Sequence, residues 1–260
     1  VMARFEREAR IVSNLEHPNI ITVHDFGFTE KKQPYMVMEF IDGQDLDTAL
    51  KAQPDGLPLE QALPILSAAS AGLAYAHEQG ILHRDIKPSN IALKQLENGE
   101  LIPKLLDFGL AKLTGWNAGK EVALTQEQQI LGSPVYMSPE LVLGKTTDAR
   151  SDIYSFACMI FEVVTGYTPF VGETAVEVAT KRLTDPPLTF AEVQANKKYP
   201  EELEQLINRA LERDPDKRFQ TMKELHDQLS KINPKAPEKT SKNQNSSIWS
   251  QLRKFNPFSS

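Results

Sequence analysis

The chain has 260 residues, 40% of them hydrophobic and 25% charged, an ordinary globular composition long enough for one large domain or two small ones. Its net charge of -6 argues against a general nucleic-acid binder, because such binding rests on basic residues that neutralise phosphates. The single cysteine, Cys158, excludes a disulfide framework within the chain and sits in the apolar run FACMIFEVV as a buried, inert thiol, which suits a reducing cytosol; with no stretch long and apolar enough to span a bilayer and no signal-peptide pattern at the start, a soluble, cytoplasmic chain is expected.

Met2, Phe5, Ala9 and Val12 stand at helical spacing, predicting an opening helix that stops near His17-Pro18, since the residue before a proline avoids the helical region. IITVHDFGF and PYMVMEFI are short, β-branched and aromatic, with Gly27 and Gly43 punctuating their ends, and are expected to pair as strands. LEQALPILSAASAGLAYAHEQG predicts an amphipathic helix with Pro64 as a kink or early-turn residue and Gly80 as a C-terminal cap. IALKQLENGELIPKLLDFG predicts a hairpin turning at Asn98-Gly99. Periodicity is lost from Leu110 to Val135, a candidate regulatory loop. SDIYSFACMIFEVVTG is apolar nearly all round and predicts a buried central helix. AVEVATKRL, PEELEQLINRALE and QTMKELHDQLSKI are further amphipathic helices, and residues 233–260, polar with scattered Trp249, Leu252, Phe255 and Phe258, are expected to be a disordered tail or linker.

The stretch ILHRDIKPSNIAL places Asp85, Lys87 and Asn90 within six positions. Phosphoryl transfer to a hydroxyl needs a base near the nucleophile, a cation near the transferred group and metal ligands beneath the nucleotide, all held in place. Asp85 can accept or orient the hydroxyl proton, Lys87 can neutralise charge on the migrating group, and the amide oxygen of Asn90 is a hard ligand suited to Mg²⁺. A second carboxylate, Asp107 in LLDFGLAK, follows the hairpin that would return it to Asn90.

HRDIKPSN together with DFG resembles the protein-kinase signature set. The resemblance implies an α+β, two-lobed fold over residues 1–232, with 1–41 a remnant of the small lobe and hinge and 42–232 the largely helical large lobe. It further implies transfer of the ATP γ-phosphoryl group, with Mg²⁺, to Ser or Thr of protein substrates. By the same resemblance Ser138-Pro139-Glu140 stands for the family's Ala-Pro-Glu, Arg218 pairs with Glu140, Asp152 begins the buried helix, and Glu8 belongs to the regulatory helix. Met38 is the gatekeeper, Glu39 to Ile41 face adenine, and Ala92 lies where relatives present a larger apolar floor. His83, Phe108 and Val12 stack as a spine with no proton-transfer role for the histidine. Lys87 in DIKPSN and the segment GSPVYMSPE resemble the serine/threonine subclass, and Ser133 replaces the commoner threonine that bridges to the catalytic groups. Arg84 beside Asp85 is the pattern in which a phosphorylated loop docks on a cation, with Thr125 the first candidate for self-phosphorylation and Thr114 a weaker one. The overall likeness is to bacterial relatives of eukaryotic-type kinases.

The sequence holds no G-x-G-x-x-G and no lysine before residue 31; GWNAGKE near Gly115 is one residue short of a P-loop and lacks a Ser/Thr after Lys120. The expectation is an N-terminally incomplete kinase, poor at binding ATP and inactive by itself. Two other readings stand beside it: a non-catalytic kinase-fold scaffold, and a small-molecule phosphotransferase on the same fold. Against the scaffold, the base and both metal ligands are intact. Taken singly, Asp85 and Asp107 would be ordinary loop aspartates, and Glu8 a solvated helix residue. His17, His24, His77 and His226 show no ligand spacing, so zinc is not expected.

Overall fold

The structure is a computed structural model that describes residues 2–108 and 135–235. It opens with α1 (Met2–Ser13), whose Phe5, Ala9 and Val12 are buried as their spacing predicts. Two strands follow, β1 (Val23–Phe28) and β2 (Pro34–Met38), paired antiparallel with an irregularity between Val23 and Asp25. The Phe5 ring meets Phe28 edge-on at 5.3 Å, fixing α1 against this small sheet.

A second antiparallel sheet has the order β3 (Gly43–Asp45), β4 (Ile91–Gln95), β5 (Leu101–Leu105). The β4–β5 hairpin turns as expected: the Gly99 N–H donates to Leu96 O and Gly99 takes φ 85°, the left-handed position such a turn requires. Ile20 bridges in parallel to Leu105, and the Asn19 side chain donates to Pro103 O, so the chain preceding β1 is sewn to β5.

Strand β3 and the helix after it were not foreseen. Gly43 was expected to mark a strand end, yet it sits in β3 because a Cβ there would fall 2.0 Å from Leu93 O; the glycine permits close approach of two backbones. Asp45 then caps α2 (Leu46–Lys51) by accepting the Thr48 N–H at 2.7 Å. The long helix α3 (Leu59–Glu78) runs through Pro64 and ends in a Schellman turn, with Gly80 N–H on His77 O, Ile81 N–H on Ala76 O, and Gly80 at φ 74°.

After the described residues resume, α4 (Pro139–Val142) leads to α5 (Ala149–Thr165), which is capped by Asp148 and stopped at Gly166. Ile153, Phe156, Ala157, Cys158, Met159, Ile160 and Val163 are all inaccessible, so α5 is the central buried helix that its all-round apolar sequence requires. Burial also pushes the Cys158 thiol up to about 12, leaving it inert. Around it lie α6 (Ala175–Thr184), the short α7 (Phe190–Val193) with a Thr189/Glu192 capping box, α8 (Glu201–Ala210) and α9 (Met222–Leu229). No described helix is long and apolar enough to cross a membrane.

Candidate active site

The loop from His83 to Asn90 takes its shape from α5. The Asp152 carboxylate, buried in the first turn of that helix, accepts the backbone N–H of His83 at 2.7 Å and of Arg84 at 2.9 Å. His77 Nε2 lies 2.9 Å from the same carboxylate, a role that histidine spacing alone could not reveal. Burial pushes Asp152 upward, but hydrogen bonds from the His77 ring and from the backbone outweigh it and hold the group below the usual carboxylate range. Arg84 is forced to φ 61°, left-handed for a residue with a Cβ, in a loop where two consecutive N–H groups converge on one carboxylate. His83 is pushed down by burial and is therefore a neutral ring; it packs on Phe108 with centroids 4.8 Å apart.

Beyond Asp85, Pro88 disfavours helical backbone at Lys87, which is extended, and a single 3-10 turn (Pro88–Asn90) folds the chain back. Lys87 Nζ then lies 2.9 Å from Asp85 Oδ2. Asn90 is nearly inaccessible and donates from Nδ2 to Asp85 O at 2.7 Å and to Asp85 Oδ2 at 3.0 Å. With its amide hydrogens committed, Asn90 Oδ1 is the atom left for a cation. The Leu106 N–H donates to Asn90 O at 2.9 Å, so the next residue, Asp107, emerges beside Asn90. Asp107 itself is at φ 44°. The four residues singled out for chemistry are thus gathered at one end of the β4–β5 hairpin. Two hard oxygen donors of this kind suit a six-coordinate cation that takes its remaining ligands from phosphate and water; among the described residues no cluster of three or more His, Cys, Asp or Glu could hold a metal alone.

Asp107 and Phe108 also line a pocket of about 170 Å³ shared with Met38, Val12, Val23 and Met36. Next to Met38, the Glu39 side chain accepts from Lys104 Nζ at 2.6 Å and from the Thr22 N–H at 2.8 Å, while the Glu39 N–H donates to Thr22 O. Among the described residues Glu39 O and the Ile41 N–H make no hydrogen bond. Ala92 pairs with Lys104 across β4–β5, so the two side chains share a face. Lys104 was missed in the sequence; a lysine facing inward between the apolar residues of PKLLDFG is the signal that could have found it.

Glu140 and Arg218 form a buried bidentate pair at 2.8 and 2.9 Å. Every N–H of Arg218 is used, the others going to Glu212 O, Arg213 O and Arg150 O. Burial pushes Glu140 up, but bonds from Arg218 and Ser151 more than cancel this and leave it below the carboxylate range. Preceding α4, Tyr136 donates to Glu162 Oε2 at 2.5 Å. Glu162 lies on α5, where burial pushes its carboxyl up to about 7. Ser133, Thr114, Thr125, the GWNAGKE stretch and the tail beyond Lys235 lie outside the described residues, as does the side chain of Glu8.

An ammonium and an amide lie within 3.0 Å of one carboxylate ahead of β4, and a second carboxylate, Asp107, follows two residues past the end of β5, a set of groups whose chemistry suits a phosphate and a hard cation. The sequence pattern of the protein kinase domain matches residues 2–229, and the chain belongs to that family. It is 34% identical over 243 residues to serine/threonine-protein kinase PknB of Mycobacterium leprae, covering 90% of this chain and 37% of that one. It is 38% identical over 216 residues to serine/threonine-protein kinase pkn3 of Myxococcus xanthus, covering 82% and 39%. The crystal structure of the Mycobacterium tuberculosis PknI kinase domain superposes with a TM-score of 0.66 at 28% identity, over 87% of this chain and 77% of that one. The chain thus spans well under half the length of these two curated relatives.

Proposed function

We propose that this protein is a bacterial-type serine/threonine protein kinase that transfers the ATP γ-phosphoryl group to Ser or Thr of protein substrates, itself included at Thr125. The observation that carries the proposal is the Asp85–Lys87–Asn90 cluster beside Asp107. Asp85 takes or orients the acceptor hydroxyl proton, with Lys87 at 2.9 Å able to lean from that carboxylate toward the transferred phosphoryl. Asn90 and Asp107 are the residues that would hold Mg²⁺, which when bound neutralises charge on the phosphates. Glu39 O and the Ile41 N–H offer an acceptor and a donor to the adenine edge, with Met38 behind and Ala92 beneath. Ser133 aligns the acceptor. ATP as donor and an inert buried thiol fit a cytosolic place of action.

The test is transfer from γ-labelled ATP to a serine/threonine peptide library with Mg²⁺, by a protein that also carries ahead of Val1 the glycine-rich loop and strand lysine this sequence does not hold. Asp85→Asn is expected to lower turnover roughly 10²- to 10⁴-fold with nucleotide binding little changed. Asp107→Asn is expected to abolish Mg²⁺-dependent nucleotide binding. Turnover at the original level in either variant would remove the assignment, and transfer to small molecules but not to any peptide would replace the substrate class.

A further inference from the structure

Helix α6 presents Val178, Ala179 and Arg182 to the interior. An arginine in that row is unexpected, because the position is fully inaccessible and burying a guanidinium is costly unless it is hydrogen-bonded. Arg182 is cushioned between two rings, its Cζ 5.4 Å from the centre of Phe170 and 5.8 Å from that of Tyr154. From there its Nη2 donates to Val135 O at 2.5 Å. The next residue, Tyr136, is bound through its hydroxyl to Glu162 of α5, and the one after, Met137, packs with Val142 and Ala179 in the small apolar cluster between α4 and α6. Three consecutive residues are therefore gripped by three different kinds of contact, to carbonyl, hydroxyl and thioether.

We propose that Arg182 is a positioning residue for the protein acceptor: by anchoring the Val135 carbonyl to a guanidinium seated between the Phe170 and Tyr154 rings it sets the path of the Val135–Met137 segment on which the acceptor peptide is seated. This rests on the kinase reading above, in which Ser133, two residues before Val135 in the GSPVYMSPE segment, aligns the acceptor. Arg182 lies on α6, away from the residues assigned to nucleotide and cation. Its loss should therefore weaken use of the peptide and spare use of the nucleotide.

The variants Arg182→Met, which keeps an apolar stem but no donor, and Arg182→Lys, which keeps a donor but not the flat stacked plane, separate the two parts of the contact. In the same protein supplied with a glycine-rich loop and strand lysine, Arg182→Met is expected to lower kcat/KM for the peptide roughly tenfold, with the ATP dissociation constant within about twofold of the parent. It should also speed amide hydrogen exchange at Val135–Met137 while the centre of α5 keeps its protection. Arg182→Lys should recover most of the loss. Parental peptide kinetics together with parental exchange in Arg182→Met would overturn the proposal, as would equal weakening of peptide and nucleotide. If Arg182→Met does not fold, Arg182→Lys decides: about a threefold loss confined to the peptide supports the clamp, and no loss overturns it. If the parent phosphorylates nothing even when supplied with a glycine-rich loop and a strand lysine, the kinase reading fails by itself; faster exchange at Val135–Met137 in Arg182→Met still supports the clamp, and equal exchange overturns it.

Discussion

Two buried glutamates show how the same side chain acquires opposite pH behaviour from its neighbours. Glu140 faces a guanidinium whose five N–H groups are all satisfied, and the net effect holds its carboxyl low. Its contribution to stability is present above the unfolded value of 4.5 and is lost as pH falls through the folded one. Glu162 accepts from the Tyr136 hydroxyl and has no cation beside it among the described residues; burial, aided by the Asp47 charge, lifts it to about 7. The folded protein therefore loses stability as pH rises from 4.5 through about 7, on the order of 3 kcal/mol at full titration. Glu162→Gln can still accept the tyrosine proton but does not titrate. The melting temperature of Glu162→Gln should exceed that of the parent at pH 8 and match it at pH 5; a parallel pair of profiles would show that Glu162 is ionised throughout.

At the level of elements, glycines with the same backbone angle have different costs of replacement. Gly99 at φ 85° has open space where a Cβ would go, so Gly99→Ala bears only the left-handed penalty, about 1–2 kcal/mol. Gly166 at φ 78° ends α5 with a virtual Cβ only 1.9 Å from Pro54 O, so Gly166→Ala must also move backbone. Urea unfolding should give Gly166→Ala a loss larger than that of Gly99→Ala by at least about 1–3 kcal/mol; equal losses would mean that the Pro54 loop yields freely. The same distinction explains what the sequence disclosed. Long periodic elements such as α1, α3 and α5, and the β4–β5 turn at Asn98-Gly99, were legible because period and turn chemistry are local. Strand β3 was not, being three residues long and held by the approach of Gly43 to Leu93 O, a contact between positions far apart in the chain. Helices α2, α4 and α7 are too short to develop a period and are held by caps and tertiary packing.

Among the described residues, the small sheet and α1 join the rest through the loop before β1, through Val12, Leu15 and Val23 in the shared apolar core, and through the ion pair of Glu39 with Lys104, which ties the residue after β2 to β5. The signature residues of the candidate site announced themselves by spacing, whereas Lys104, His77 and Arg182 work across long sequence separations and carry no motif. Removing the Lys104 ammonium leaves Glu39 with only the Thr22 N–H. Lys104→Met should cost about 1–3 kcal/mol in unfolding free energy and should weaken nucleotide binding about tenfold, because the Glu39–Ile41 segment loses its footing on β5. Unchanged affinity in a destabilised variant would show that segment to be set by other contacts.

The left-handed backbone at Asp107 has a bearing on how such a molecule could change over time. Glycine would rest there without the roughly 1–2 kcal/mol that a side chain costs, so heat resistance and the proposed grip on a divalent ion would pull this one codon in opposite directions. A lineage released from the proposed catalysis would be free to take the more comfortable residue.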